Sequence, residues 1–249
     1  MYLYKRFLSI VFAIVVLHSC KTAYQPTTVE FNDYKISQVT SESNSLTRLL
    51  KPYADSVNKN MNDVIAIAAI NLEKRTPEGT LGNVLADAML FKAREKYGKN
   101  VDASFINSGG IRLPSIAKGN ITRGKIFELA PFDNLIVLLE INSKDLLLFL
   151  DLVAGKGGWP CAGITYQIKN NKPVNVQLRG APLDENTVYT IALVDYIANG
   201  GDNCDMLKDL PQQNKGYLFR DAIIDYFTDL NNSGKTITSS IEKRVSNAD

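Results

Sequence analysis

A strand that ends in a glycine pair has few ways to continue, and this chain contains two such strands. The apolar run Ala103, Phe105, Ile106 stops at Asn107-Ser-Gly-Gly-Ile-Arg112, and the run 188–194 leads into Asn199-Gly-Gly-Asp202. Both runs are of strand length and mostly apolar, so each predicts a buried strand. Gly109 and Gly110 lack a Cβ, which allows positive φ, close approach to a ligand and N–H groups turned toward an anion. The first turn then delivers Arg112, a planar and permanently charged fork suited to phosphate or carboxylate. The second delivers the carboxylate of Asp202. Singly, each is a tight turn with a surface charge. Together they predict two walls of one polar pocket, with Asn107, Gly109, Gly110, Arg112, Gly201 and Asp202 as its candidate residues.

The periodicity around these turns predicts alternating helices and strands. Residues 43–60 carry Leu46, Leu49, Leu50, Tyr53 and Val57 at helical spacing, with Ser43 or Ser45 as N-cap. Residues 63–72 are a nearly continuous apolar run, read as one buried strand. Residues 81–97 place Leu81, Leu85, Ala88, Met89 and Ala93 on one helical face, with Gly98 as the stop. A short helix is expected over 121–129, broken by Pro131, then a strand over 134–141 and a helix over 143–154 capped by Ser143. Strands follow at 163–169, 174–178 and 188–194, and a last helix at 217–230. Several connections have hairpin length. The fold class is therefore mixed α/β, layered mixed sheets with flanking helices, and not a doubly wound parallel sheet.

The first nineteen residues read as a targeting segment. Lys5 and Arg6 precede an uncharged, mostly apolar run over 7–17, too short to span a bilayer and suited to a secretory signal. Leu17-His-Ser-Cys20 resembles a bacterial lipobox, so residues 1–19 are expected to be removed and Cys20 lipidated. Residues 20–30 then form a polar tether, 31–249 the domain, and the expected place is the cell envelope, periplasmic or surface-facing. Two of the 28 basic residues and none of the 26 acidic ones lie in 1–19, leaving a chain of balanced charge. Such a chain lacks the basic excess of a nucleic-acid-binding surface.

The single histidine, His18, leaves with the signal. Histidine-based acid–base catalysis, Ser-His-Asp triads and histidine-ligated metals leave with it. No calcium-loop ladder is present, and Ser233-Gly-Lys-Thr236 lacks the first glycine of a phosphate loop, Asp229 standing in its place. No cofactor is expected in this chain. Cys161 and Cys204 could pair in an oxidising compartment or remain two separate buried thiols.

Four motifs occur in order: Gly82-Asn-Val-Leu-Ala-Asp-Ala88, Asn107-Ser-Gly-Gly-Ile-Arg112, Pro131-Phe-Asp-Asn134 and Asn199-Gly-Gly-Asp202. Together they make residues 71–245 resemble the C-terminal, substrate-binding domain of the 5'-nucleotidase family. The resemblance implies a nucleotide or nucleoside ligand, with Phe132 and Tyr196 stacking on the two faces of the base. Tyr196 stands where the family usually has phenylalanine. Asn134 matches a residue at the base edge, Asp202 the carboxylate on the ribose hydroxyls, and Arg112 an arginine on phosphate or ribose. Arg75 is a looser match to a second phosphate-binding arginine. Two positions depart from the pattern: Ser108 replaces a glycine, and Asp133 puts a carboxylate between Phe132 and Asn134.

In the resembling family a separate N-terminal metallophosphatase domain holds divalent metals and cleaves the ester. Here that region holds only tether and linker, which implies a detached specificity half. Two functions follow from the resemblance. One is the substrate-binding half of a split 5'-nucleotidase in nucleotide catabolism, paired with a separately encoded metallophosphatase. The alternative is a non-catalytic nucleoside- or nucleotide-binding lipoprotein.

Overall fold

A computed structural model describes residues 44–248, together with Thr28 and Glu30. The signal segment, Cys20 and most of the tether lie outside the described residues. The chain divides into two compact units, 1–47 and 48–249. Apart from the first residues of helix α1, the architecture below belongs to the second.

Helix α1 spans Asn44–Met61. Its apolar stripe is present as the spacing predicts, yet Leu49, Leu50 and Tyr53 are exposed. Helical period decides which side chains share a face; it does not supply a surface to bury that face against. The apolar run after it becomes two strands, β1 (Val64–Ala68) and β2 (Leu72–Glu73), which enter different sheets. Helix α2 (Thr80–Tyr97) ends as expected at Gly98, whose φ of 62° is left-handed and whose N–H closes on the Arg94 carbonyl. It is buried on nearly all sides because β3 (Ala103–Phe105), β7 (Cys161–Ala162) and the last helix pack around it.

The expected helix over 121–129 starts two residues later. Ile121 and Thr122 close strand β5 (Gly119–Thr122), and α3 (Arg123–Leu129) begins with Thr122 Oγ1 accepting from Lys125 N. Strand β4 is Ser115–Ile116. Strand β6 (Leu135–Asn142) runs directly into α4 (Ser143–Gly155). The cap of α4 is Asn142, not Ser143: Asn142 Oδ1 accepts from Asp145 N at 2.9 Å, while Ser143 donates to the Asp184 carbonyl. Next come β8 (Ile164–Lys169), β9 (Lys172–Leu178), β10 (Ala181–Pro182) and β11 (Val188–Val194). The single turn α5 (Asp195–Ala198), strand β12 (Gln212–Leu218), helix α6 (Phe219–Asn232) and strand β13 (Val245–Asn247) complete the chain. Polarity hides β12 from a sequence reading, since Gln-Gln-Asn-Lys-Gly alternates nothing apolar; it is held as the edge of a sheet by pairing with β6.

The five-stranded sheet has the order β12-β6-β11-β3-β7, and a four-stranded sheet runs β10-β9-β8-β13. Strands β11 and β3 are parallel neighbours, and β6 is antiparallel to β11. Consequently the C-terminal ends of β3 and β11 and the N-terminal end of β6 all leave the sheet at one edge. That edge carries the three segments singled out by sequence.

The Gly82–Ala88 motif serves a different purpose. A Cβ on Gly82 would lie 2.7 Å from the Pro160 ring, so only glycine lets α2 sit this close to the 159–162 segment. Asn83 Nδ2 donates to Glu78 Oε1 and to the Ser240 carbonyl. Asp87 takes a two-pronged contact from Arg244, at 2.7 and 2.9 Å, and Arg244 also donates to the carbonyls of Asn83 and Cys161. The motif thus stitches the C-terminal segment to α2.

Cys161 and Cys204 are two free, buried thiols and do not pair. Each is enclosed by its own strand or turn, Cys161 opposite Phe105 in β3 and Cys204 just after the second glycine turn. Burial pushes the Cys161 thiol up to about 12, with Cys204 pushed up to about the same value.

Candidate functional site

The first glycine turn is a short 3₁₀ helix, Ser108–Gly110, closed by Gly110 N donating to the Asn107 carbonyl. Neither Gly109 nor Gly110 takes positive φ, contrary to the sequence expectation. What excludes a side chain at 110 is proximity: a Cβ there would lie 2.8 Å from Asn107 Oδ1. Lys74 pins the turn from behind, its Nζ donating to the carbonyls of Ser108 and Ile111 at 2.8 and 2.9 Å. Burial, and then the charge of Arg112, hold the Lys74 ammonium below its usual value.

The second turn does use the left-handed region. Gly200 has φ 89°, and Asp202 and Asn203 follow at 54° and 69°, conformations that side chains of this type tolerate. Gly201 fits beneath Tyr196, where a Cβ would lie 2.5 Å from both ring carbons and the Tyr196 carbonyl. The Tyr196 hydroxyl donates to Asp202 Oδ1 and accepts from Asp202 N, each at 3.3 Å. The ring and the carboxylate are thereby fixed to one another.

One bond joins the two turns across 95 residues of sequence: Asn107 Nδ2 donates to Asp202 Oδ2 at 2.8 Å. Asn107 is only 5% exposed, and its Oδ1 has no partner. Because Asp202 accepts one protein donor on each oxygen, lone pairs remain on both for a ligand with two adjacent hydroxyls.

The third segment, Pro131–Asn134, stands opposite. Phe219 N donates to the Asn134 carbonyl, and Asp195 Oδ1 accepts from Leu135 N and Tyr196 N, tying this segment to the Tyr196 wall. Asp133, the departure that puts negative charge here, is paired with Arg220 Nη2 at 2.6 Å.

Asn107, Gly109, Gly110, Phe132, Asn134, Tyr196 and Asp202 line one cavity of about 330 Å³. Gly201 supports Tyr196 from outside it. Arg112 is at the rim with its guanidinium 5.9 Å from the Phe132 ring centroid. Phe132 and Tyr196 are each 47% exposed, although core aromatics of this fold such as Phe105 and Phe149 are almost wholly buried. Arg75 is drawn away into an ion pair with Glu73. Cys20 lies outside the described residues. Among those residues no group of three His, Cys, Asp or Glu side chains is placed to hold a metal, and no helix is long and apolar enough to cross a membrane. Sequence reasoning missed Lys74, Asp195 and Arg220. Asp195 directly follows the 188–194 run and was within reach of a local reading; Lys74 and Arg220 act across 34 and 87 residues, where no local signal exists.

The cavity is at the small end of ligand pockets, with two exposed aromatic faces and a few convergent polar groups, a construction suited to a flat heterocycle bearing a diol. Comparison with known proteins bears on that ligand. The family model described as 5'-nucleotidase, C-terminal domain, matches residues 61–209. A 5'-nucleotidase of Vibrio cholerae is 27% identical over 196 residues, 74% of this chain and 34% of that protein. A trifunctional nucleotide phosphoesterase protein of Bacillus subtilis is 30% identical over 191 residues, 69% of this chain and 12% of that protein. The solved 5'-nucleotidase precursor of Thermus thermophilus superposes with a TM-score of 0.71 at 29% identity, covering 82% of this chain and 43% of that one. The chain thus spans about a third of the length of the Vibrio relative.

Proposed function

Because the chain belongs to the family of 5'-nucleotidase C-terminal domains, we propose that it is the nucleotide-binding half of a split 5'-nucleotidase at the bacterial cell envelope. In this reading it is lipid-anchored through Cys20 and works with a separately encoded metallophosphatase. The observation that carries it is the convergence of three segments on one cavity that Phe132, Tyr196 and Asp202 all line; in this reading the two rings stack on the base and Asp202 accepts from the diol. Base and ribose are gripped here, and the divalent metals that activate water reside in the partner. The similarity to a 5'-nucleotidase and to a nucleotide phosphoesterase supports the substrate class. Cys20, at the end of Leu17-His-Ser-Cys20, supports the anchor.

One observation favours a second reading, a non-catalytic nucleoside-binding lipoprotein. Among the described residues lining the cavity, the charged one is Asp202, and the cation Arg112 is only at the rim. A neutral nucleoside suits that lining at least as well as a nucleotide.

Phosphate release by the purified chain, alone and with the metallophosphatase encoded nearest to it, separates the two. The split-enzyme reading expects no hydrolysis alone with Mn²⁺, Zn²⁺ or Mg²⁺, and in the mixture a lower KM for nucleoside monophosphates than the partner has by itself. Interactions with base and ribose can also orient the phosphate, so kcat can rise as well. Generic phosphate esters, which lack those parts, should change little. Metal-dependent hydrolysis by the chain alone would overturn it. Binding of nucleosides with no effect on any partner would favour the second reading. Mass spectrometry of the membrane fraction tests the anchor, an acylated Cys20 being the expected product.

A further inference from the structure

Arg220 does not line the cavity, yet it holds one of its walls. It is the second residue of α6 and only 8% exposed. Its Nη1 donates to the carbonyls of Ala130 and Pro131 at 3.4 and 3.1 Å, and its Nη2 to Asp133 Oδ1 at 2.6 Å. Its guanidinium lies 4.3 Å from the centroid of the Phe127 ring, stacked on α3. The preceding residue adds a backbone bond, Phe219 N to the Asn134 carbonyl at 2.9 Å. Four of the five positions from Ala130 to Asn134, all but Phe132, are therefore gripped from one side by the first two residues of α6. Within that segment Phe132 and Asn134 line the cavity, and Phe132 is the position that neither residue of α6 holds.

We propose that Arg220 is the positioning residue of the Phe132–Asn134 wall, with Asp133 as the contact that fixes its reach. A planar fork can bridge two carbonyls and a carboxylate at once while its face packs on an aromatic ring; an ammonium cannot do all of these. The same contact gives the buried Arg220 guanidinium its counter-charge, the Asp133 side chain itself being 78% exposed. Seen this way, Asp133 belongs to the support of the wall and not to ligand recognition. The inference rests on the reading of the cavity as a nucleoside site, and its test separates the two.

The test is a thermodynamic cycle on adenosine binding, measured by calorimetry with Arg220→Gln, Phe132→Ala and the double variant. Arg220→Gln should raise Kd about tenfold in the wild-type background and by less than about twofold when Phe132 is already alanine, because coupled residues are non-additive. Arg220→Lys should recover part of the loss and Asp133→Asn should produce a smaller one. Amide hydrogen exchange of residues 130–135 should quicken in Arg220→Lys and Asp133→Asn while α2 and β11 stay protected. An equal loss in the Phe132→Ala background would overturn the inference, because Arg220 would then act on the fold generally. Unchanged exchange in both conservative variants would overturn it too, even where Arg220→Gln fails to fold. Failure of the wild-type chain to bind adenosine, with exchange altered as expected, would sink the nucleoside reading and leave the clamp standing.

Discussion

Gly201→Ala should damage the site far more than it damages the fold. The added Cβ would lie 2.5 Å from Tyr196 Cε1 and Cζ and 2.5 Å from the Tyr196 carbonyl oxygen. Ordinary contacts of this kind begin near 3.4 Å, so about 1 Å must be found. Ring rotation can relieve the first clash and not the second, which is with backbone. The turn therefore has to open, and overpacking of this sort costs about 1–3 kcal/mol. Because the turn is at the rim of the sheet and the core beneath α5 is formed by Ile197 and Ala198, opening can stay local. Its consequence is displacement of Tyr196 together with the carboxylate that its hydroxyl touches. Loss of one stacking face alone is worth about 1–3 kcal/mol, or roughly five- to 150-fold in Kd. Two further glycines grade the effect. Gly110→Ala puts a Cβ 2.8 Å from Asn107 Oδ1, whose amide can turn only by giving up its bond to Asp202, so an intermediate loss is expected. Gly155→Ala meets nothing within 4 Å at the end of α4 and should bind as wild type does. Calorimetric titration with adenosine and thermal unfolding of all three variants measure both quantities. Wild-type affinity in Gly201→Ala would refute the reasoning, since Tyr196 would then not depend on the glycine beneath it.

Replacing Phe132 and Tyr196 together by alanine should abolish measurable adenosine binding, at about 2–6 kcal/mol for two stacking faces, and leave the far-ultraviolet circular dichroism unchanged; retained affinity would mean the ligand binds elsewhere. Alkaline pH should destabilise the fold. Burial raises the Cys161 thiol from 9.0 to about 12, so between these values the unfolded chain loses a proton that the folded chain keeps. Stability is therefore full below about pH 9 and falls as pH rises toward 12, readable as a lower urea midpoint at pH 10 than at pH 8 that Cys161→Ala partly abolishes. Arg244→Leu should lower stability by about 3 kcal/mol, the low end for breaking a buried ion pair because Asp87 keeps 38% exposure; an unchanged melting temperature would show that the C-terminal stitch is dispensable.

The sequence determined most of what is local. Helix α2 and its stop at Gly98, strands β6, β8 and β11, and the two turns follow from period, capping and glycine placement, because a side chain's face is set within one or two turns of its own backbone. The motif order likewise named the residues that line the cavity, since glycines and aromatics at strand ends carry a recognisable pattern. Only the tertiary structure decided how those pieces meet. The parallel pairing of β3 with β11 brings Asn107 to Asp202, and nothing within either turn specifies that neighbour. The same holds for Lys74 under Ser108, Arg220 on Asp133 and Arg244 on Asp87. A lone charged residue carries no period, and its partner is chosen by sheet order and helix packing over tens to more than a hundred residues. The exposed stripe of α1 makes the converse point: amphipathic spacing was legible, but whether a surface exists to cover it is a property of the fold and not of the helix.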